Sequence, residues 1–127
     1  MSERTIAEKL QVKSGDVVGV IGEVDLVGPL PNGASFVAET DGVDVGVVFV
    51  ADRAALHGEF AARLPNLAGA RAVWFCYRKG KGFDVNRDTI IRDSGEFGWR
   101  PISNIAVDDL WSAVRLRPLA PDEQPLR

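Results

Sequence analysis

The stretch Val45-Gly46-Val47-Val48-Phe49-Val50-Ala51, together with residues 52–77, decides the fold. No side chain of residues 45–51 carries a charge. A helical pattern then runs from about Arg53 to Leu67, with Leu56, Phe60, Leu64 and Leu67 on one apolar stripe. A second apolar run, Ala70-Arg71-Ala72-Val73-Trp74-Phe75-Cys76-Tyr77, closes the unit. Strand, crossover helix and strand make a βαβ unit, and continuous apolar runs are what a parallel sheet covered on both faces requires. Asp52 stands where an N-cap is needed. Glu59 and Arg63 have the spacing of an ion pair on the wet side. Pro65 predicts that the regular helix stops near Leu64, because proline removes a helical hydrogen bond.

Upstream, Thr5 and Glu8 have capping-box spacing, and Ile6 and Leu10 share a face, so residues 1–15 read as a short helix and a turn. Asp16 to Ile21 is a first buried strand. Pro29, Pro31, Gly28 and Gly33 leave room for one or two helical turns near Glu23 to Val27. Ser35 to Glu39 is a short strand. Only Thr40 to Val43 separates it from the central run, and four residues span at most about 14 Å. A parallel crossover normally takes a dozen residues or more. The strand is therefore either very short with an extended return, or antiparallel to its successor; both stay open.

Downstream, Arg78 to Val85 is a loop. Asn86 caps a helix from about Arg87 to Phe97 that buries Ile90, Ile91 and Phe97, with Gly98 as its C′ residue. Ile102 to Val107 and Trp111 to Leu116 form an antiparallel pair around Asp108-Asp109-Leu110. Val18, Val20, Val47, Phe49, Val73 and Phe75 are the expected central core. Pro118, Pro121 and Pro125 make residues 118–127 a flexible tail, so the expected organisation is a single domain over 1–117 followed by that tail.

At 127 residues, 46% hydrophobic and 26% charged, the chain has the composition of one soluble domain. A net charge of −3 supplies no overall field for nucleic acid or an anionic membrane. The charge is uneven: Ser14 to Asp52 holds seven acids and no Lys or Arg, whereas Arg53 to Arg100 holds nine bases and five acids. Cys76, the one cysteine, sits in an apolar run and reads as a small hydrophobe. With no intramolecular disulfide available, no signal-peptide pattern and no membrane-length apolar run, the expected location is cytoplasmic.

The element order resembles the C-terminal half of Rossmann-like S-adenosylmethionine methyltransferases. A closer resemblance is to a small bacterial family known as a domain of unknown function. It rests on Leu10-Gln11-Val12-Lys13-Ser14-Gly15, Leu30-Pro31-Asn32-Gly33, Trp74 to Gly80, and Ile105-Ala106-Val107-Asp108-Asp109-Leu110-Trp111-Ser112-Ala113-Val114-Arg115-Leu116. The resemblance implies a reduced Rossmann-like core with the last strand inserted antiparallel beside the 70–77 strand and the 102–107 strand at the edge. The expected fold is thus a single Rossmann-like α/β domain, with a mostly parallel five- or six-stranded sheet ending in an antiparallel strand. The chain departs from methyltransferases in its first loop, Ile21-Gly22-Glu23-Val24-Asp25, where one glycine replaces their cluster of two or three.

The candidate ligand residues are set by that scaffold. Arg78-Lys79-Gly80-Lys81-Gly82 leaves the C-terminal end of a buried strand, the edge where open α/β sheets bind ligands, and glycines with cations suit an anion. Gly22 and Asp52 sit at the same edge. Glu39, at the end of the second strand, stands where such folds place a ribose-binding acid. His57, the single histidine, reads as a surface residue without a partner, and Trp74, Trp99 and Trp111 as packing residues. No nucleophile elbow, zinc-ligand set or nucleic-acid motif is present, so no catalytic residue, metal or cofactor is assigned. The expected function is a non-catalytic binding or accessory module. Its expected partners are an anionic small molecule and a second copy, a homodimer through the C-terminal edge of the sheet. The alternative is a small nucleotide- or S-adenosylmethionine-binding enzyme or sensor with a reduced pocket.

Overall fold

The βαβ unit forms as the apolar runs require. In a computed structural model describing residues 5–125, β3 (Val45–Phe49), α3 (Arg53–Leu67) and β4 (Ala72–Arg78) succeed one another, and the two strands pair in parallel. Asp52 accepts the Ala55 amide hydrogen bond at 2.7 Å and so starts the helix. Leu56, Phe60, Leu64 and Leu67 are all buried. Gly46 lets the last of them reach the sheet, since a Cβ there would overlap Leu67 Cδ2. One expectation is corrected: α3 runs through Pro65 to Leu67. Pro65 lies on the exposed face, where solvent is available to the carbonyl whose helical donor it removes.

Around this unit stand β1 (Val17–Ile21), β2 (Ser35–Val37), β5 (Trp99–Ala106) and β6 (Trp111–Pro118), giving a six-stranded sheet of order β2-β1-β3-β4-β6-β5. The β1, β2, β3 and β4 strands are parallel; β6 is antiparallel to both β4 and β5. The fold is a single α/β domain with a mostly parallel sheet, and the last strand inserts beside β4 and leaves β5 at the edge, as the resemblance implied.

The open question about β2 is answered by a missing side chain. β2 has only three residues and is parallel to β1. Residues 38–44 cross one face of β1 directly to reach β3. They pass over Gly19, where a Cβ would overlap the Glu39 carbonyl and press on Val43 at 3.0 Å. The chain moves outward from β1 to β2 with α2 (Val24–Val27) on one face, then reverses with Val43 and α3 on the other. Reversal with constant right-handedness requires that change of face.

Two apolar layers result. On one face α3 and α4 (Arg87–Ser94, extended by a 3-10 turn over Gly95–Phe97) pack Phe60, Leu64 and Ile90 onto Val48, Phe75 and Val114. On the other, α1 (Ile6–Lys9) and α2 cover Val18, Val47 and Trp74. The Thr5–Glu8 capping box forms, and the Trp74 Nε1–H donates to the Leu10 carbonyl at 2.9 Å, fixing this segment to the sheet. All the expected central residues are buried except Phe49, which is half-buried. It ends β3 at the sheet's margin and meets Trp111 edge-on at 5.1 Å. Residues 119–125 turn back along the start of β5, with the Leu119 amide donating to the Gly98 carbonyl at 2.8 Å. The first four residues of the expected domain and the last two of the expected tail lie outside the described residues. Among the described residues no helix is long and apolar enough to cross a membrane.

Candidate functional site

The C-terminal ends of β1, β2, β3 and β4 share one edge, and the strand order reverses between β1 and β3. In open α/β sheets that reversal opens a crevice that holds ligands. Here it opens a notch of about 540 Å³ lined by Val20, Ile21, Gly22, Val24, Phe36, Val37, Ala38 and Arg63. Its walls are aliphatic and aromatic; Val24 and Phe36 are more than a third exposed. The single cation, Arg63 on α3, lies 3.5 Å from Glu59. The notch exists because β2 is short and its return to β3 is extended, so no helix covers this corner.

Gly22 belongs to the notch, and its lone glycine has a physical reason. Its φ is +107°, a left-handed conformation that favours glycine, and a Cβ would stand 2.8 Å from that of Phe49. The β1–α2 turn closes on itself, with the Val24 amide donating to the Gly22 carbonyl and the Leu26 amide to the Glu23 carbonyl. Glu39 comes next after the notch residue Ala38; its carbonyl lies over Gly19 and the residue is exposed. Asp52 is engaged as the α3 N-cap.

The basic loop is more constrained than its composition suggests. The Lys79 Nζ donates to the Asp108 carbonyl at 2.6 Å and its amide to the Leu110 carbonyl at 2.8 Å. The Arg78 guanidinium lies over Phe83 at 5.3 Å and over Trp111 at 5.6 Å. Gly80 and Gly82 both take positive φ, and Lys81 between them is exposed. Of the eight candidate residues, only Gly22 lines the notch.

A second group is not apparent in the sequence. His57 has a partner: its Nε2 lies 2.7 Å from Asp93 Oδ2. Arg53 donates to the same carboxylate through Nε at 3.0 Å and Nη2 at 3.1 Å. The Asp93 side chain is 1% exposed. Burial alone would raise its pKa, but the hydrogen bonds from His57 and Arg53 outweigh burial and hold the carboxyl below its ordinary value. An ionised Asp93 can only accept, so Nε2 carries the proton that points at it. Nδ1 has no hydrogen-bond partner among the described residues. Arg53, Ala54 and His57 line an open cavity of about 350 Å³. One sequence signal points to it: Ile90, Asp93 and Phe97 share a helical stripe, and an acid on a buried stripe requires a cation.

No family model and no curated protein matches the chain. Among solved structures it is similar to a Streptococcus agalactiae protein described as belonging to the NADB-Rossmann superfamily, with a TM-score of 0.56 at 8% identity. The match covers 94% of this chain and 70% of that one. The fold is Rossmann-like. A second similar structure is LepI in complex with SAM, with a TM-score of 0.49 and 11% identity, covering 89% of this chain and 39% of that one. So low a score adds nothing to the fold assignment.

Proposed function

We propose that the chain is a non-catalytic binding module, and that its ligand is an uncharged planar molecule of nucleoside size seated in the notch over Gly22. The observation that carries this reading is the notch itself, an apolar cleft of about 540 Å³ at the end of the sheet where such folds bind ligands. Phosphates are disfavoured there. The β1–α2 turn commits the Val24 and Leu26 amides to its own carbonyls, and Glu23, Asp25 and Glu39 flank the lining residues in sequence. Thermal-shift and calorimetric titration with adenosine, ATP and S-adenosylmethionine test the reading. Adenosine should bind near millimolar, worth about 4 kcal/mol, ATP more weakly, and S-adenosylmethionine no more tightly than adenosine. Micromolar binding of ATP or S-adenosylmethionine would overturn it, as would no response to any of the three.

The second reading is a small enzyme using a nucleotide or S-adenosylmethionine. The observation favouring it is His57, oriented by Asp93 and Arg53 with Nδ1 unpartnered beside an open cavity. An anionic small molecule at the Arg78–Gly82 loop is a further expectation, supported by the exposed Lys81 between two left-handed glycines. We also propose a homodimer through β5. Its outer backbone lies at the sheet edge, and Ile102, skipped by a register shift between Pro101 and Ser103, is 43% exposed. Light scattering that finds a monomer at high concentration would remove the dimer.

A further inference from the structure

The opposite edge of the sheet carries an arrangement that the notch does not use. Arg100 on β5 stands directly across from Arg117 on β6. Like charges so placed destabilise a strand pair unless an anion lies between them. Glu123 supplies that anion. Its carboxylate accepts from Arg117 Nη1 at 2.8 Å and Nη2 at 2.7 Å, from Arg100 Nη1, and from the Ala120 amide at 2.9 Å. These donors come from two strands and the turn after them. Arg115 lies on the same face of β6 by the period of two, and its partners are neutral: Gln11 Oε1 at 3.1 Å and the Arg71 carbonyl at 3.0 Å. The Nε groups of Arg100 and Arg115 are buried and have no hydrogen-bond partner. Arg71 beside them is committed to Asp16. Four guanidiniums thus gather at this edge against the carboxylates of Asp16, Asp44 and Glu123, and the buried Nε donors of Arg100 and Arg115 are left over.

We propose that Arg100 and Arg117 form an oxyanion-binding fork, that Glu123 occupies it as a built-in ligand, and that an external phosphate or carboxylate group takes its place when the segment 119–125 lifts. Guanidinium pairs match both chemistries, because each presents donors in a rigid planar fork. The segment is held by few other contacts: the Leu119 amide on Gly98 and Pro125 against Gly95. Displacement therefore leaves both core layers intact. The site lies away from the notch and does not depend on what binds there.

The test compares the wild-type chain with Glu123→Gln and with Glu123→Gln/Arg117→Gln. Thermal melts are run in sodium phosphate and in sodium acetate, each against sodium chloride at matched ionic strength. Emptying the fork should raise the response to added oxyanion, with phosphate binding to Glu123→Gln at least tenfold tighter than to the wild type by calorimetry. The double variant should lose that gain. A response to phosphate alone assigns a phosphate ligand, a response to acetate alone a carboxylate, and a response to both a general oxyanion site. Equal responses in wild type and Glu123→Gln, or a gain that survives Arg117→Gln, would overturn the proposal. A chain ended after Leu119 removes the built-in ligand by another route and must show the same gain.

Discussion

Asp93 holds two helices together through three donated hydrogen bonds, and its replacement is the sharpest single-residue test of the fold. Asp93→Asn keeps the shape but leaves Arg53 and His57 facing an amide. It should lower stability by about 1–3 kcal/mol, read as a lower denaturant midpoint with an unchanged slope. The pH dependence comes from three carboxyls, one of which is Glu123, held below its ordinary pKa by the Arg117 hydrogen bonds. The Arg71 hydrogen bond holds Asp16 below its ordinary pKa, and the His57 and Arg53 bonds do the same for Asp93 against the opposing effect of burial. A depressed folded-state pKa contributes stability that is complete above the unfolded value of about 4 and is lost as pH falls through the folded values. Unfolding free energy should therefore be flat with respect to these groups from about pH 5 upward and fall below about pH 4. Asp93→Asn should shallow that fall. A slope unchanged in the variant would show that Asp93 is not held as described. Neither partnership is visible in local sequence, because Asp93 and Asp16 meet cations 40 and 55 residues away. The apolar stripe of α4 nevertheless carries a warning, since an acid at one of its buried positions has to find a donor.

Among the elements, the βαβ unit was legible because each of its parts is decided locally. Two apolar runs of strand length flank a 3.6-residue stripe with an acid at its start. The direction of β2 was not legible, because it depends on Gly19 offering no side chain to a segment that arrives about 20 residues later. Gly19→Ala puts a Cβ into the Glu39 carbonyl. It should cost stability at the upper end of the about 1–3 kcal/mol typical of overpacking. Amide exchange should accelerate in β2 and residues 38–44 first. Gly46→Ala meets only the end of the Leu67 side chain, which can shift, and should cost about 1 kcal/mol. The reverse ranking would remove the crossing at Gly19 as the reason for the short link. The continuation of α3 past Pro65 shows the complementary case. A proline predicts a helix end on average, but on an exposed face near the terminus the missing hydrogen bond costs little enough for Leu67 to be carried onto Gly46.

For the whole molecule, the uneven charge of the sequence takes on a spatial meaning. The acid-only stretch from Ser14 to Asp52 supplies β1, β2 and β3, with Glu23 and Glu39 beside the notch, while arginines from β5, β6 and the turn before β4 collect at the opposite edge. One sheet thus offers an apolar notch with acidic neighbours at one end and a basic fork at the other. The placement of β6 between β4 and β5, with β5 at the edge, was anticipated through resemblance, and the polar Ser103 and Asn104 agree with it. The notch was not anticipated, because it arises from a covering helix that the short link leaves out, and no residue type signals it. The most direct measurement of the binding-module account is a map of backbone amide chemical shifts during adenosine titration. The account predicts changes confined to residues 20–24 and 36–38 with the Arg63 side chain. Changes centred on Arg53 and His57, or on the Arg78–Gly82 loop, or none at saturating adenosine, would contradict it.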